Sequence, residues 1–245
     1  MDKTVWILNH YAGETFFDKG GRHYSIAKYL KRIGFEPMIF CSNAMHGRKE
    51  TYIKSDSLFT IRVAEEIQTP YVFVKNRLYD TNGKDRIINM VDFYYNLIRT
   101  CRLYAKKNGA PALIYASSVH PLTLVAGIKL AKRFGIKCVS EVRDLWPESI
   151  VEYSDKLSKN NPIIRLFYQG EKWIYKNSNA IVFTFEGGYD YIKEKGWATE
   201  IPESKVFYIN NGVDIESFNY NKENYCIVDE DLENEKKLTL SIQDL

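Results

Sequence analysis

The chain has 245 residues, a net charge of +3, 45% hydrophobic and 27% charged residues. That length buries a sizeable core without disulfides or metals, and that composition excludes a chain disordered throughout. A small positive charge with no long basic run gives no support to a nucleic-acid partner, and none is expected.

The elements follow in chain order. Val5–Leu8 predicts a first strand, followed by the polar, glycine-containing stretch Asn9, His10, Gly13, Gly20 and Gly21. A helix is expected over 21–33, with Ile26, Ala27, Leu30 and Ile33 on one face and Gly34 as its stop. Glu36–Phe40 predicts the second strand, completing a right-handed βαβ unit. Residues 59–63 and 71–74 alternate like strands. A long helix over 86–107 places Ile87, Val91, Tyr94, Ile98, Cys101 and Ala105 on one expected buried stripe. Then come a strand at 112–116, a helix at 121–134 with Pro121 in its first turn and Gly135 past its end, and a strand at 137–142. A loop holding Trp146 and Pro147 leads to a helix at 163–176, a strand at 180–184, a helix at 186–195 closed by Gly196, and a strand at 206–209. Between Glu223 and Glu235 six residues are acidic, which marks a linker or solvated extension, and 238–242 resembles the start of another strand. The expected domains are therefore 1–220 and a short acidic extension, 221–245.

This alternation predicts an α/β fold: a Rossmann-like, mostly parallel sheet with helices on both faces. Ligands of such sheets bind beyond the carboxyl ends of the strands. The four cysteines at 41, 101, 138 and 226 have no CxxC spacing, so neither a zinc site nor a redox motif is supported; Cys101 and Cys138 are expected in the core. The absence of a basic segment followed by a long apolar one gives the expectation of a cytoplasmic protein with no signal peptide and no membrane span. Basic residues recur on helices: Lys28, Lys31 and Arg32, then Arg99, Arg102, Lys106 and Lys107, then Lys129, Lys132 and Arg133. They fit solvated faces, or a weak attraction to a phosphorylated substrate or to anionic lipid, the latter allowing peripheral contact with a membrane.

Three segments carry the candidate chemistry. Gly20 and Gly21 precede a helix N-terminus, where backbone N–H groups favour a phosphate, and Arg22 can add a charge-assisted bond. The loop matches neither GxGxxG nor the P-loop, which disfavours a dinucleotide oxidoreductase or a nucleoside triphosphatase. Ser117, Ser118 and His120 lie between a strand and a helix: a serine can cap the helix, and His120 can meet a phosphate or take a proton. In Glu141–Glu148 a buried strand runs into charged residues, a tryptophan and a proline. There Arg143 and Asp144 can pair, Trp146 can wall a pocket and Glu148 can bind a hydroxyl; a structural ion-pair network is the alternative. No metal is expected, because four scattered histidines show no ligand spacing.

The segments Gly20–Leu30, Glu141–Glu148, Phe183–Gly188 and Asn210–Asp214, in this order, resemble the N-terminal half of family 4 glycosyltransferases. The likeness extends from about residue 3 to about 220 and is greatest to members that build bacterial surface polysaccharides (lipopolysaccharide or capsule), including aminosugar transferases. The resemblance implies a GT-B fold and retaining transfer from a nucleotide-sugar donor to a lipid-linked or other glycan acceptor, with no cofactor. It implies that Gly20 and Gly21 approach the donor diphosphate, that His120 lies near the reacting sugar, and that Asp144 is a catalytic or acceptor-binding carboxylate. Arg22, Arg143, Trp146 and Glu148 complete the expected substrate-binding set. The family's donor-binding second domain has no counterpart after Asn219. The chain alone is therefore expected to be inactive, either as a truncated product or as one part of a split enzyme with a separately encoded donor domain; a non-catalytic sugar-phosphate-binding module is the alternative.

Overall fold

The structure is a computed structural model, and it describes residues 3–80, 83–152 and 158–225. An eight-stranded sheet organises residues up to Asn211. Its strands are β1 (Thr4–Leu8), β2 (Glu36–Ser42), β3 (Phe59–Ala64), β4 (Thr69–Val74), β5 (Leu113–Ser117), β6 (Lys137–Val142), β7 (Ala180–Phe183) and β8 (Val206–Tyr208), in the order β3-β4-β2-β1-β5-β6-β7-β8. Every pair is parallel except β3 with β4. The chain steps to one side of β1 for β2 and to the other for β5, so the sheet's switch point lies between β1 and β5.

Helices cover both faces. The short α1 (Gly13–Phe17) and α2 (Arg22–Arg32) lie over a cluster built from Val5, Ile7, Ile39, Cys41, Tyr71 and Phe73. The opposite cluster, around Trp6, Leu8, Phe40, Val72, Ile114 and Phe183, is closed by α3 (Lys84–Asn108), α4 (Pro121–Phe134) and α6 (Pro162–Asn177). The strict alternation of Val5 and Ile7 against Trp6 and Leu8 feeds both cores from one strand, as a doubly covered sheet requires. The helices α5 (Trp146–Glu152) and α7 (Gly188–Glu194) complete this unit. A second unit begins at Gly212; its described part is α8 (Ile215–Asn224), capped by the Asp214 side chain on the Ser217 amide. The predicted strand at 238–242 and most of the acidic stretch lie outside the described residues, as does Cys226.

The eight strands predicted between residues 5 and 209 are all present, and Pro121 and the left-handed Gly135 bound α4 as expected. Cys101 and Cys138 are buried and free. Four expectations differ from the structure. The stretch before Gly20 contains α1, which at five residues is too short to show a helical period; Thr15 Oγ1 donates to the Ala12 carbonyl at 2.7 Å, and Phe16 packs edge-on against Tyr71 and Phe73. Trp146 and Pro147 open a helix rather than a loop, with proline in its first turn, where its missing N–H costs nothing. Neither Ser117 nor Ser118 caps α4, because their hydroxyls bond to Glu141 of β6 and to the Arg143 amide just after it; His120 is the N-cap and makes no side-chain cap bond. The buried face of α3 is centred on Met90, Phe93, Leu97 and Cys101, leaving Ile87 61% and Val91 39% exposed. A stripe drawn through apolar residues alone misplaces that face, because Asn89 and Thr100 are buried in it and Asn89 donates to the Arg77 carbonyl.

Candidate functional site

The carboxyl ends of β1, β5 and β6 converge on one buried carboxylate, Glu141. Ser117 Oγ donates to its Oε2 at 2.6 Å, the Tyr115 hydroxyl donates to its Oε1, and Arg22 Nε donates to the same Oε1 at 2.7 Å. Since Ser117 directs its single proton to Glu141, it accepts from His23 Nε2 at 2.9 Å and from Asn9 Nδ2 at 3.2 Å, which sets the His23 proton on Nε2. Burial alone raises the Glu141 carboxyl; the nearby His23, 3.7 Å from Oε2, and hydrogen bonds from Ser117 and Tyr115 outweigh it and bring the group down to about 2. Burial also lowers His23, against the pull of Glu141.

Arg22 leaves α2 next to Gly21, whose φ of +86° favours glycine and where a Cβ would lie 3.1 Å from Thr15 Cγ2. Gly20 has no such constraint: a Cβ there would meet only the Asp18 carbonyl, at 3.6 Å. Besides Glu141, the Arg22 guanidinium donates to the carbonyls of Ile209 and Asn210, both at 2.9 Å, and to Asn211 Oδ1 at 3.2 Å. The expected phosphate ligand is thus built into a clamp that ties α2, β6 and the segment after β8 together.

A second buried cluster lies beside the first. His120 Nε2 is 2.6 Å from His10 Nδ1, and His10 stacks on Phe93 with 4.1 Å between ring centroids. Asn76 Nδ2 lies 3.5 Å from the other His10 ring nitrogen. Burial lowers His120 to about 3, with Arg86 adding to the effect, and lowers His10 strongly, with His120 and His46 adding. Both rings are therefore neutral near neutral pH and share one N–H···N bond. His120 Nδ1 is buried with no hydrogen-bond partner among the described residues. A ring held this far below neutrality is a poor proton acceptor; its chemistry is that of a neutral hydrogen-bonding group.

The segment after β6 splits in two. Arg143 gives its backbone N–H to Ser118 Oγ at 3.0 Å. The expected Arg143–Asp144 pair is absent: among the described residues neither side chain has an ion-pair partner, and Asp144 is exposed at the rim. Trp146 does wall a cavity. Its Nε1 donates to the Val119 carbonyl at 3.1 Å, its ring meets Phe167 edge-on, and with Asp144, Leu124, Val125 and Trp173 it lines an apolar space of about 480 Å³ between α4, α5 and α6. Glu148 turns away into an ion-pair network with Lys195 and, at 3.1 Å, Lys159. Burial raises that carboxyl, and the two lysines outweigh it and hold it below the usual carboxylate range.

His10, His23 and Asn9 have no role in the sequence reading, and Glu141 enters it only as the start of the charged segment, without a role of its own. Asn9 and His10 directly follow the first strand, so the switch-point rule alone points to them. Glu141 sits inside a strand pattern, and its role emerges only from the pairing of β5 with β6.

A family model described as Glycosyltransferase Family 4 matches residues 23–217. Among solved structures, sucrose-phosphate synthase from Thermosynechococcus elongatus is similar with a TM-score of 0.56 at 13% identity, over 87% of this chain and 49% of that one. UGT89C1 from Arabidopsis thaliana, complexed with UDP-L-rhamnose, gives 0.50 at 10% identity, over 89% and 54%. These likenesses show a shared fold, and this chain spans about half the length of either structure. No curated protein matches the chain. With most of its sequence under the family model and a sheet of the corresponding half of a GT-B fold, the chain belongs to family 4 of the glycosyltransferases.

Proposed function

We propose that this chain is the acceptor-side half of a glycosyltransferase that moves a sugar from a nucleotide-sugar donor to a lipid-linked glycan of bacterial surface-polysaccharide assembly. The observation that carries the acceptor class is the apolar cavity opening beside the exposed Asp144: an acceptor with a polar head and an apolar tail finds a carboxylate and an apolar seat next to each other. Asp144 accepts a hydrogen bond from an acceptor hydroxyl, Arg143 meets the acceptor's phosphate, and Trp146 supplies the wall between head and tail. The neutral His120 forms a hydrogen bond to the reacting sugar through Nδ1. The backbone at Gly20 and Gly21, before the N-terminus of α2, faces the donor diphosphate. Arg22 and Glu148 act as supports for this edge, not as ligands.

The donor's base and ribose require a second domain, so the isolated chain is inactive and a separately expressed donor domain restores transfer. The test is transfer of radiolabelled sugar from UDP-sugars to polyprenyl diphosphate acceptors. Robust turnover by the isolated chain refutes the half-enzyme reading. Saturable binding of the acceptor, with no transfer under any pairing with a donor domain, favours a non-catalytic binding module.

A further inference from the structure

The hydrogen bonds around His10 fix where the protons of the second buried cluster lie. The Ala44 amide can only donate, and it meets Asn76 Oδ1 at 3.3 Å, as does Ser42 Oγ at 2.7 Å. Asn76 therefore turns its amide nitrogen, a donor only, toward His10 Nε2 at 3.5 Å. With Nε2 as the acceptor, the His10 proton sits on Nδ1 and goes to His120 Nε2 at 2.6 Å. The His120 proton is thereby placed on Nδ1. His120 is 1% exposed, and this N–H has no acceptor among the described residues. Asn89 Oδ1, buried near His10, makes no hydrogen bond either. A buried donor without an acceptor is costly, and a ligand that supplies the acceptor recovers that cost.

The groups around this donor are cationic or neutral. Arg86, in the first turn of α3, is the charge that acts on His120, and it also acts on His10 and Tyr79. Tyr79 is buried just beyond β4; its hydroxyl meets His46 Nδ1 at 2.8 Å and the Tyr11 hydroxyl at 3.3 Å. The ring of the exposed His46 stacks on Tyr11 with 4.7 Å between centroids. No carboxylate is among the groups that shift His10, His120 or Tyr79. The acids next in sequence, Asp80 and Asp85, act on Lys49 instead.

We propose that this corner, at the carboxyl ends of β1, β2, β4 and β5, is a subsite for an acidic sugar: His120 Nδ1–H donates to the sugar, Arg86 takes its carboxylate or phosphate, and His46 adds a donor from the exposed side. The inference rests on the reading of this edge as a sugar site and names the class of sugar. A metal ion does not fit, because a protonated ring nitrogen is no ligand and Arg86 repels a cation. A neutral sugar satisfies His120 and makes no use of the Arg86 charge. An anionic oxygen uses both, through charge-assisted bonds about twice as strong as neutral ones.

The test is titration of the full chain, followed by saturation-transfer NMR, with glucuronate, glucose 6-phosphate, glucose and inorganic phosphate as probes. At least one of the two acidic sugars is expected to bind about tenfold or more tighter than glucose, and the tighter one identifies the anion. Arg86→Met brings both to the affinity of glucose and leaves glucose itself within about twofold, whereas Arg86→Lys, which keeps the charge, retains a preference of about threefold or more. Lys137→Met, at the opposite end of β6, changes neither. Circular dichroism checks that the variants fold. Equal affinity for acidic and neutral sugars, an unchanged preference in R86M, loss of glucose binding in a folded R86M, or inorganic phosphate binding as tightly as the acidic sugars overturns this inference alone. Failure of every sugar to bind overturns it together with the reading of this edge as a sugar site.

Discussion

The Arg22–Glu141 pair allows a stringent test of how the sheet edge is held. Replacing Arg22 with methionine keeps the aliphatic stem but removes the guanidinium from a site where the two side chains are 11% and 0% exposed. Glu141 then stays ionised and buried, retaining the Tyr115 and Ser117 bonds but losing its cation, while the carbonyls of Ile209 and Asn210 lose their donor. Breaking a buried pair from one side costs about 3–5 kcal/mol, mostly the penalty of the stranded charge. The double variant Arg22→Met/Glu141→Gln removes both charges, leaves an amide that Tyr115 and Ser117 can still reach, and is expected within about 2 kcal/mol of the parent. The coupling, both single costs less that of the double variant, is therefore at least about 1–3 kcal/mol, read as a shift in urea midpoint at constant slope. A single variant that costs less than about 1 kcal/mol, or a double variant that costs the sum of both singles, refutes the clamp. The same carboxylate sets an acid limit. Its folded value is depressed to about 2, so its contribution is complete above the ordinary carboxylate value and is lost as pH falls toward 2.

Four further outcomes follow from the same geometry. Glu171, buried and accepting from the Tyr175 and Tyr191 hydroxyls at 2.7 Å each, is raised to about 7, chiefly by burial. The folded state then holds a proton that the unfolded state releases, so stability declines by roughly 3 kcal/mol as pH rises from about 4.5 to about 7; Glu171→Gln flattens that slope in urea titrations across this range, and an unchanged slope refutes the assignment. The ring nitrogens of His120 keep neutral 15N shifts down to about pH 4, and a transition near the ordinary histidine value contradicts the buried His10–His120 pair. Asp144→Asn leaves the urea midpoint within about 0.5 kcal/mol while weakening acceptor binding, whereas Glu148→Gln costs about 1–3 kcal/mol because Lys195 and Lys159 lose their anion; the opposite ranking reverses the two roles. In Gly127→Ala the new Cβ meets Ala116 Cβ at 2.6 Å, so α4 is pushed off β5 at a cost of about 1–3 kcal/mol in thermal unfolding, and a neutral result shows the helix free to shift.

The sheet was legible in the sequence because each strand is a short apolar run bounded by glycine, proline or polar residues, and each long helix is amphipathic. Three helices were missed: α1 and α5 have five and seven residues, less than two turns, over which no period can be counted, and the ten-residue α8 buries no residue and so shows no apolar face. The rotated face of α3 has a different cause: burial there is shared by Asn89 and Thr100, whose sequence signature is that of surface residues. At the site, position along the sheet was legible and valence was not. Arg22, Glu148 and Ser117 stand at the carboxyl edge, as chain order predicts. Which hydrogen bonds each one makes depends on partners 119, 47 and 24 positions away in sequence.

That difference in valence decides which edge residues remain open to a substrate. Glu141 accepts from Arg22, Tyr115 and Ser117, so its charge is neutralised inside the fold and contributes little field at the rim. Glu148 is matched by two lysines in the same way. Among the described residues, what is left without an ion-pair partner at this edge is the exposed Asp144 carboxylate and the half-buried Arg143. A carboxylate and a cation left without partners at a strand end cost little in water and gain most when an incoming polar group replaces it. The buried network fixes the strand end from which these groups project, so burial and exposure are divided between neighbouring residues of one segment: Glu141 is buried and fully paired, and Asp144 is exposed.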